Sequence, residues 1–279
     1  MKNSRIRSRS NHRHTQRTSL IALLTDFGLR DHYVGTMKGV MLTRNPSLRF
    51  VDLSHEIHPQ AVNEAAYLLW SSYRYFPRRT VFVCVIDPGV GSDRPIHILR
   101  TADHIFLAPA NGVLDFVTTE EKHTKLFEVD LKKAEKYLHD EISHTFHGRD
   151  IFAPLAALLA SGVEIARMAK GVALPSACSP FVENPHSESA PQILHIDRFG
   201  NVVTNIRLRD ERTARQRLNG LAVNEHRIET WIANYSSAES ENVSLIIGSD
   251  GLVEIVIKNG SAAKVLQTTL SSVITVHWK

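Results

Sequence analysis

The sequence predicts an α/β fold in which an N-terminal, mostly parallel sheet with flanking helices precedes a smaller, barrel-like antiparallel β domain. The first half alternates short apolar runs with segments of helical periodicity, which is typical of a parallel sheet. Several of its apolar runs end at polar or acidic residues followed by turn residues, as strands of such sheets do. After residue 190 the pattern changes to short β runs separated by turns, which predicts antiparallel pairing.

The elements of the first half follow from these patterns in chain order. The order strand, helix, strand, helix, strand predicts parallel neighbours over residues 19–86. The predicted strands are 19–24, 48–53, 81–86, 96–99, 104–108 and 125–129, and the predicted helices are 33–43, 61–75, 132–140 and 150–160. Asn45-Pro46 and Phe76-Pro77 are expected to end the first two helices.

The second half is predicted from seven short β runs. These cover residues 192–196, 201–206, 221–223, 226–232, 243–247, 252–257 and 271–277. A segment rich in Pro and Ser precedes them and is typical of a domain boundary. We therefore predict a tail at 1–19, an N-terminal domain at 20–174, a linker at 175–190 and a C-terminal β domain at 191–279.

Charge is distributed unevenly along the chain. The sequence has 33 basic and 29 acidic residues, a net charge of +4, but residues 1–19 hold six Lys and Arg residues and no acid. Without that tail the remaining chain has a net charge of −2. The tail has too few apolar residues to fold and lacks the apolar core of a secretory signal. Weak contact with nucleic acid is an alternative, but a disordered extension without a nucleic-acid partner is favoured.

Other features of the composition exclude several protein classes. Hydrophobic residues make up 43% of the chain and charged residues 22%, as in a globular protein. No apolar run reaches the length of about 20 residues that spans a membrane. Cys84 and Cys178 are isolated and form neither a disulfide framework nor a zinc-site spacing, which favours a reducing, cytoplasmic location.

Residues 80–94, TVFVCVIDPGVGSDR, contain a candidate polar site. A buried strand ends at Asp87, a turn with two glycines follows, and Arg94 lies seven residues further on. Ligands of open α/β sheets bind beyond the carboxyl ends of the strands. On spacing alone, a solvated loop with a capping Asp is an equally good interpretation.

Six stretches resemble the S-adenosyl-L-methionine hydroxide adenosyltransferases, the hydrolase relatives of the fluorinase and chlorinase. They are LTDFGLRDHYVGTMKG (24–39), DPGVGSDR (87–94), PANGVL (109–114), TFHGRDIFAP (145–154), IDRFGNVVTN (196–205) and, more weakly, GLVEIVIKNGSAA (251–263). The resemblance implies hydrolysis of S-adenosylmethionine to adenosine and methionine. It also implies a homotrimer with sites between subunits. No cofactor and no metal are expected, and S-adenosylmethionine is the small-molecule partner.

The resemblance also assigns roles to individual residues. Asp87, Arg94 and His147 match the set that holds the attacking water at the ribose C5′. Asp26 matches the carboxylate that accepts the ribose hydroxyls. The other substrate-binding residues that the resemblance suggests are Asp31 and Tyr33 near the methionine end, Asp197 for the ammonium, Ser249 for the carboxylate, and Phe199, Asn201, Tyr235, Ile257 and Asn259 for the adenine.

Two alternative functions remain beside hydrolysis. A halogenase of the chlorinase type is disfavoured because an anionic Asp87 would repel halide. A non-catalytic S-adenosylmethionine or adenosine sensor is disfavoured because Asp87, Arg94 and His147 are all present. Gln60, Ala110 and Asp250 depart from the family pattern, and these departures are expected to affect substrate affinity more than the reaction.

Overall fold

A computed structural model describes residues 19–139, 141–175, 178–238 and 242–279. Its first half contains β1 (Leu20–Thr25), α1 (Tyr33–Arg44), β2 (Arg49–Ser54), α2 (Val62–Ser72), β3 (Val81–Val85), β4 (Ile96–Arg100), β5 (Ile105–Pro109), α3 (Asp115–Glu120), β6 (Lys125–Val129), α4 (Leu131–Ala134), α5 (Ala153–Ala160) and β7 (Ala169–Val172). The second half contains β8 (Ile193–Ile196), β9 (Val202–Arg207), α6 (Glu211–Arg217), β10 (Leu218–Val223), β11 (His226–Ile228), β12 (Val243–Ile247), β13 (Leu252–Ile257), α7 (Ala262–Val265) and β14 (Ile274–Trp278).

The first half is organised around a seven-stranded sheet with the order β2-β1-β3-β5-β4-β6-β7. The first four strands in this order are parallel, and the remaining pairs are antiparallel. All five residues of β3 are buried, as its unbroken apolar run predicts for a strand covered on both faces. The carboxyl ends of β1, β3 and β5 therefore meet along one edge of the sheet.

Helices cover both faces of this sheet. On one face α1 and α5 contribute buried residues such as Met37, Met41 and Leu155. On the other face α2 and α3 contribute Leu69, Trp70 and other apolar side chains. Burying such side chains contributes roughly 1.5–3 kcal/mol each, so the core fixes the positions of the strand ends.

The second half consists of two antiparallel sheets around one shared core. Their orders are β12-β13-β9-β8 and β11-β10-β14. The larger sheet packs against α2, because Leu194, Val203 and Leu252 belong to the same apolar cluster as Trp70. A hydrogen bond of 2.7 Å between His195 Nδ1 and the buried carboxylate of Glu64 joins the two halves at this contact.

The predicted fold class is confirmed, and individual elements differ from prediction. The short helix α3 and the edge strand β7 were not predicted, because neither has enough residues to show a clear period. The helix predicted over 132–140 is α4 plus one 3-10 turn to Tyr137, and residue 140 lies outside the described residues. The strand predicted over 226–232 ends at Ile228.

Segments outside the main elements complete the description. The predicted tail lies outside the described residues except for Ser19. Within the predicted linker, Phe181 is buried and its ring lies 5.0 Å from that of Trp70, while Val182 pairs with Ile206. The domain boundaries remain a prediction. No helix among the described residues is both long enough and apolar enough to span a membrane.

Candidate active site

Asp87 and Arg94 form an ion pair on the loop that follows β3. One guanidinium nitrogen of Arg94 donates to Asp87 Oδ2, and the backbone N–H of Gly89 donates to Asp87 Oδ1 at 3.0 Å. Only 5% of the Asp87 side chain and 15% of the Arg94 side chain are exposed. Burial lowers the effective dielectric, so this pair is held more firmly than a surface pair.

Arg94 has two further nitrogens that it does not use for this pair. Its second terminal nitrogen donates to the carbonyl of Pro95 at 2.9 Å. Its Nε is buried and finds no hydrogen-bond partner among the described residues. A buried N–H without a partner is costly, so this group is suited to donate to a bound molecule.

His147 lies on a second loop that packs against the Asp87 loop. The two loops meet at Gly91, whose φ is +81° and where an added Cβ would lie 2.4 Å from the carbonyl oxygen of His144. Only glycine fits such a conformation and approach. Directly after His147 the chain forms a π-helical turn over Gly148–Phe152 before α5 begins. Such turns are rare and frequently occur at functional sites.

The pKa of His147 reports its surroundings. Burial lowers the pKa of this imidazole below its usual value, and the nearby charge of Arg94 lowers it further, while the charge of Asp87 opposes both. These surroundings favour the neutral imidazole, which donates one hydrogen bond through one ring nitrogen and accepts one through the other. We call Asp87, Arg94 and His147 the catalytic cluster.

Asp26 lies next to the catalytic cluster along the edge of the sheet. Thr25 at the end of β1 pairs with Val85 at the end of β3, so Asp26 and Asp87 follow neighbouring strand ends. Asp26 Oδ2 accepts the backbone N–H of Gln60 at 2.9 Å. No described residue donates to Asp26 Oδ1, so at least half of the carboxylate is available for hydroxyl groups.

Asp31 lies on the loop that follows Asp26, and Tyr33 begins α1. The Tyr33 ring contacts Phe27 and Phe146, with centroids 5.8 Å and 5.1 Å apart, and thus covers the chain beside His147. Asp31 is exposed and makes no hydrogen bond or ion pair with any residue that the structure describes. The structure thus places Tyr33 against Phe146, the residue before His147, and leaves Asp31 at the surface.

A second group of predicted residues lies at one end of the larger C-terminal sheet. Asp197 Oδ1 accepts the backbone N–H groups of Phe199 and Asn201 at 2.9 Å, and Asp197 Oδ2 accepts the Asn201 side-chain amide at 2.8 Å. These bonds fix the turn between β8 and β9 and leave the Phe199 ring 76% exposed. Gly200, with φ +85°, packs against Ser261 where a side chain would clash.

Tyr235 and Ser249 are two further predicted residues of the C-terminal half. The Tyr235 hydroxyl donates to Glu254 Oε2 at 3.2 Å, and burial, with the charge of Glu254, raises the pKa of Tyr235 to about 12. Ser249 is exposed in the tight turn between β12 and β13. We call Asp197, Phe199, Asn201, Tyr235 and Ser249 the C-terminal rim.

The last two predicted residues follow from the end of β13. Ile257 is buried and ends the strand, whereas Asn259 is exposed with φ +56°. Among the described residues no hydrogen bond, ion pair or ring contact joins the C-terminal rim to the catalytic cluster. A cleft of about 950 Å³ is lined by the rim residues Asp197 and Phe199 together with His58, Pro59 and Ala61, and its lining includes no residue of the catalytic cluster.

Three residues that support the site were not predicted. The Asn111 amide donates to the carbonyl of Ile86 at 2.8 Å and so fixes the chain just before Asp87. Asp150 is buried, accepts the backbone N–H of Ser143 at 2.9 Å and pairs with Arg149, which fixes the His147 loop. Glu254 holds Tyr235. Asn111, Asp150 and Glu254 lie inside the quoted motifs, so their motif membership was an available signal.

The departures from the family pattern also have defined places. Gln60 has φ +67° and uses its backbone, not its side chain, to bond Asp26. Asp250 accepts from the Tyr67 hydroxyl at 3.4 Å, and burial raises the pKa of Asp250. The backbone N–H of Ala110 donates to the carbonyl of Pro95. The described part of the chain contains no group of three or more His, Cys, Asp or Glu residues arranged to hold a metal ion.

Comparison with known proteins identifies the family of this chain. Residues 21–169 match the family model of the SAM hydroxide adenosyltransferase N-terminal domain, and residues 191–275 match that of the C-terminal domain. Proteins named (R)-S-adenosyl-L-methionine hydrolase are similar. The one from Methanocaldococcus jannaschii is 32% identical over 88% of this chain and 91% of its own, and the one from Salinispora arenicola is 31% identical over 90% and 95%.

More distant relatives and solved structures agree with this placement. A fluorinase from Nocardia brasiliensis is 27% identical over 70% of this chain and 73% of its own. A crystal structure of an uncharacterized conserved protein from Thermotoga maritima has a TM-score of 0.78 at 30% identity, covering 92% of this chain and 99% of the other. The chain belongs to the SAM hydroxide adenosyltransferase family.

Proposed function

We propose that this protein hydrolyses S-adenosyl-L-methionine to adenosine and L-methionine at the catalytic cluster. The observation that carries the proposal is the buried Asp87–Arg94 pair beside a neutral His147, with the Nε–H of Arg94 unpartnered among the described residues. This arrangement offers an acceptor and a donor to one water molecule. The similar hydrolases are named for the (R) epimer, and we propose the same configuration at sulfur for this substrate.

The proposed reaction is a direct displacement. The water oxygen forms a bond to C5′ of the ribose while the C5′–S bond breaks. The electron pair of the breaking bond stays on sulfur and gives the neutral thioether of methionine. Asp87 accepts the proton of the water, and Arg94 stabilises its developing hydroxide character. The positive charge on sulfur decreases as the transition state forms. A partly dry site with fixed charges therefore stabilises the transition state more than it stabilises the charged substrate.

Asp26 and the C-terminal rim would hold the rest of the substrate. The free oxygen of Asp26 suits the ribose hydroxyls, since a carboxylate accepts several hydrogen bonds. The exposed Phe199 ring suits stacking on adenine. Asp197 already accepts three hydrogen bonds from its own turn, so its contact with the methionine ammonium would use its remaining acceptor capacity. The reaction as proposed uses no cofactor and no metal.

Assembly of several copies would complete the site. We propose a homotrimer in which the C-terminal rim of one copy covers the catalytic edge of the next. Exposed apolar side chains on both surfaces support this arrangement, with Leu29 and Val90 near the catalytic edge and Phe199 and Tyr235 on the rim. Covering them would remove apolar area from water. The molar mass in solution, measured by light scattering, tests this part separately from activity.

The fluorinase relatives make halide attack the second candidate reaction. A halide in the position of the water would lie beside the Asp87 carboxylate, and two neighbouring negative charges repel strongly in a buried site. We therefore propose water as the nucleophile. We also propose a cytoplasmic location, because Cys84 and Cys178 are both free thiols and S-adenosylmethionine is a metabolite of the reducing compartment.

The deciding experiment is incubation with each sulfur epimer of S-adenosylmethionine in ¹⁸O-water, with and without chloride and a chelator. We expect adenosine that carries ¹⁸O at its 5′ oxygen, methionine as the second product, and no effect of the chelator. Formation of S-adenosylhomocysteine or of a 5′-chloro nucleoside would contradict the proposal, as would adenosine without the label.

A further inference from the structure

The edge of the sheet opposite the catalytic cluster carries a concentration of arginines. A groove of about 770 Å³ is lined there by Arg49 at the start of β2, Arg78 and Arg79 before β3, and Arg100 at the end of β4. These arginines are exposed. We call the surface formed by these four arginines, together with Tyr75 in an adjoining hollow, the basal groove.

Most of the charge in the basal groove is not neutralised by the protein. Asp103 is the acid in the groove lining, and it pairs with Arg78 at 2.5 Å. Arg49, Arg79 and Arg100 make no ion pair with a residue that the structure describes. Arg100 lies directly opposite Lys125 of β6, where two like charges on paired strands destabilise the sheet. An anion bound at this edge would relieve that repulsion.

The backbone at Arg79 is also unusual. Residues 77–80 form a tight turn closed by the Thr80 N–H to the Pro77 carbonyl, and Arg79 in this turn has φ +72°. Such a position favours Gly or Asn, because a side chain there is strained. Asp103 holds the strained residue through its carbonyl, which accepts the Arg79 N–H at 2.6 Å. An outlier that the surroundings enforce is a reason to look for function.

An aromatic hollow adjoins the arginines. It has a volume of about 390 Å³, shares Leu20, Arg49 and Pro77 with the groove, and includes Tyr75, which is 77% exposed. Aromatic rings beside a positively charged groove are the usual components of sites for single-stranded nucleic acid: the cations hold phosphates and the rings stack on bases. An inorganic anion would use the arginines and leave the ring unused.

The basic tail joins the described part of the chain at the same edge of the sheet. Ser19 and Leu20 line the groove, and the Ser19 carbonyl accepts the backbone N–H of Arg49 at 3.0 Å. The preceding 18 residues carry six basic residues and no acid. The expectation of no nucleic-acid partner rests on a net charge averaged over residues 20–279, whereas the structure concentrates positive charge at this edge. Six further basic residues therefore precede Ser19 in the chain at this edge, and a larger number of cations suits an extended polyanion better than a small anion.

We propose that the basal groove binds single-stranded nucleic acid, with Arg49, Arg79 and Arg100 on phosphates and Tyr75 stacked on a base. Guanidinium groups bind phosphate oxygens in a bidentate geometry. The groove lies at the opposite edge of the sheet from the catalytic cluster, so binding there does not require the proposed hydrolase activity and does not block it.

The test measures binding of the full-length chain to a fluorescein-labelled single strand of about 16 nucleotides, the upper site size of single-stranded binding folds. Fluorescence anisotropy is recorded over a salt series for RNA, for DNA and for inorganic polyphosphate as a competitor. The variant Arg49→Gln/Arg100→Gln is compared with Lys132→Gln/Lys133→Gln. The control pair lies on α4, is exposed and loses the same charge at the opposite edge.

We expect the groove pair to weaken binding at least about tenfold and to reduce the salt slope by about 0.7 for each lost phosphate contact. The control pair should leave both unchanged. Tyr75→Ala should weaken oligonucleotide binding about tenfold, the effect of losing one stacked base, while competition by polyphosphate stays the same. Thermal melting of each variant verifies that it is folded.

Several outcomes would overturn the proposal. Equal losses in the groove pair and the control pair would indicate non-specific charge attraction. Wild-type binding by the groove variants, together with no binding after deletion of residues 1–18, would assign the interaction to the tail alone. An unchanged oligonucleotide affinity in Tyr75→Ala would show that bases are not recognised. Absence of measurable binding to any single strand at about physiological salt would exclude the site.

Discussion

The catalytic cluster and the C-terminal rim of this molecule are built in opposite ways. Asp87 and Arg94 are nearly enclosed and bonded to each other, whereas Phe199 and Tyr235 leave most or half of their surface in water. Fixed charges in an enclosed site need little reorganisation during a reaction. Exposed rings contribute binding energy only when a ligand or a partner surface covers them. The difference indicates that a single chain already positions the reactive side chains, whereas the aromatic rings proposed to bind substrate remain exposed until a ligand or a second copy covers them.

The largest effect is expected from Asp87→Asn. This change keeps the shape of the side chain but removes its charge, so the rate of hydrolysis should fall roughly 10²–10⁴-fold, the usual effect of losing a positioned acid–base group. The affinity for S-adenosylmethionine should change little, since its ends are assigned to Asp26 and the rim. Single-turnover product formation measures the rate, and equilibrium binding measures the affinity.

Asp93→Asn is the matched control for this change. Asp93 lies on the same loop next to Arg94 but is exposed. Its variant should react at the wild-type rate. Because Asp87→Asn leaves the partly buried Arg94 without its partner, some loss of stability is expected and is measured by thermal melting. A wild-type rate in Asp87→Asn would remove Asp87 from the catalytic assignment.

The next largest effect is expected from Gly91→Ala, which tests how the cluster is held together. The added Cβ would meet the His144 carbonyl at 2.4 Å, so the Arg94 loop and the His147 loop must separate. Gly162→Ala is the control, because Gly162 has nearly the same φ, +83°, with nothing within 4 Å. It should lose only about 1 kcal/mol of folding free energy through backbone strain.

Gly91→Ala should lose more folding free energy than this control and should slow hydrolysis at least about tenfold, because small displacements of catalytic groups are costly. Chemical denaturation and single-turnover rates measure the two effects. If both variants behave alike, the contact between the two loops has no catalytic importance.

The same contrast explains what the sequence could and could not predict. Asp87 was predicted as a candidate from its position at the end of a buried strand, because strand ends converge in any parallel sheet. The approach of the His147 loop depends on a contact across more than 50 residues at Gly91, which no local pattern records. Phe199 and Tyr235 were predicted only through the family resemblance, since an exposed ring on a turn has no periodic signal. The Glu254 contact of Tyr235 likewise depends on strand register.

Phe199→Ala should affect binding without affecting the chemical step. The ring is exposed in the free chain, so its removal should change the melting temperature little. If the ring stacks on adenine, its loss should raise KM for S-adenosylmethionine about tenfold, the value of one aromatic contact, and leave single-turnover kcat unchanged. Leu174→Ala, another exposed apolar position, serves as the control. A fall in kcat at unchanged KM would contradict the division between cluster and rim.

The pH dependence of the reaction should reflect the catalytic cluster. Since burial lowers the pKa of His147 below 6.5, the imidazole stays neutral in the folded chain through pH 7. We expect kcat/KM to be constant above pH 7 and to fall on an acid limb with its midpoint below 6.5. The limb with this midpoint should disappear in His147→Asn, whatever rate remains, and only the loss of the Asp87 charge in more acid solution should then slow the reaction. A midpoint above 6.5 would contradict a neutral, partly buried imidazole.

The effect of pH on stability has a defined sign but is shared by several groups. Between pH 6.5 and the lowered pKa, the unfolded chain binds a proton that the folded chain does not, so stability falls as the pH falls through this window. Burial lowers the pKa values of His97 and His104 in the same direction. Melting curves therefore report the sum of these groups, and only the His147 variant isolates the contribution of the cluster.

The smallest effect is expected from Tyr235→Phe, which keeps the ring of the rim and removes its hydroxyl. With its pKa raised to about 12, the hydroxyl is protonated at every working pH and donates to Glu254. Losing one such bond should raise KM about two- to tenfold and leave kcat unchanged. The hydroxyl is expected to act only by holding the ring on Glu254. In that case Glu254→Gln, which keeps an acceptor, should raise KM less than Tyr235→Phe does. The double variant Glu254→Ala/Tyr235→Phe should then raise KM no more than the more severe of its two single variants. Additive losses would instead show that Glu254 contacts the substrate independently of Tyr235, because two residues that act through one hydrogen bond cannot lose it twice.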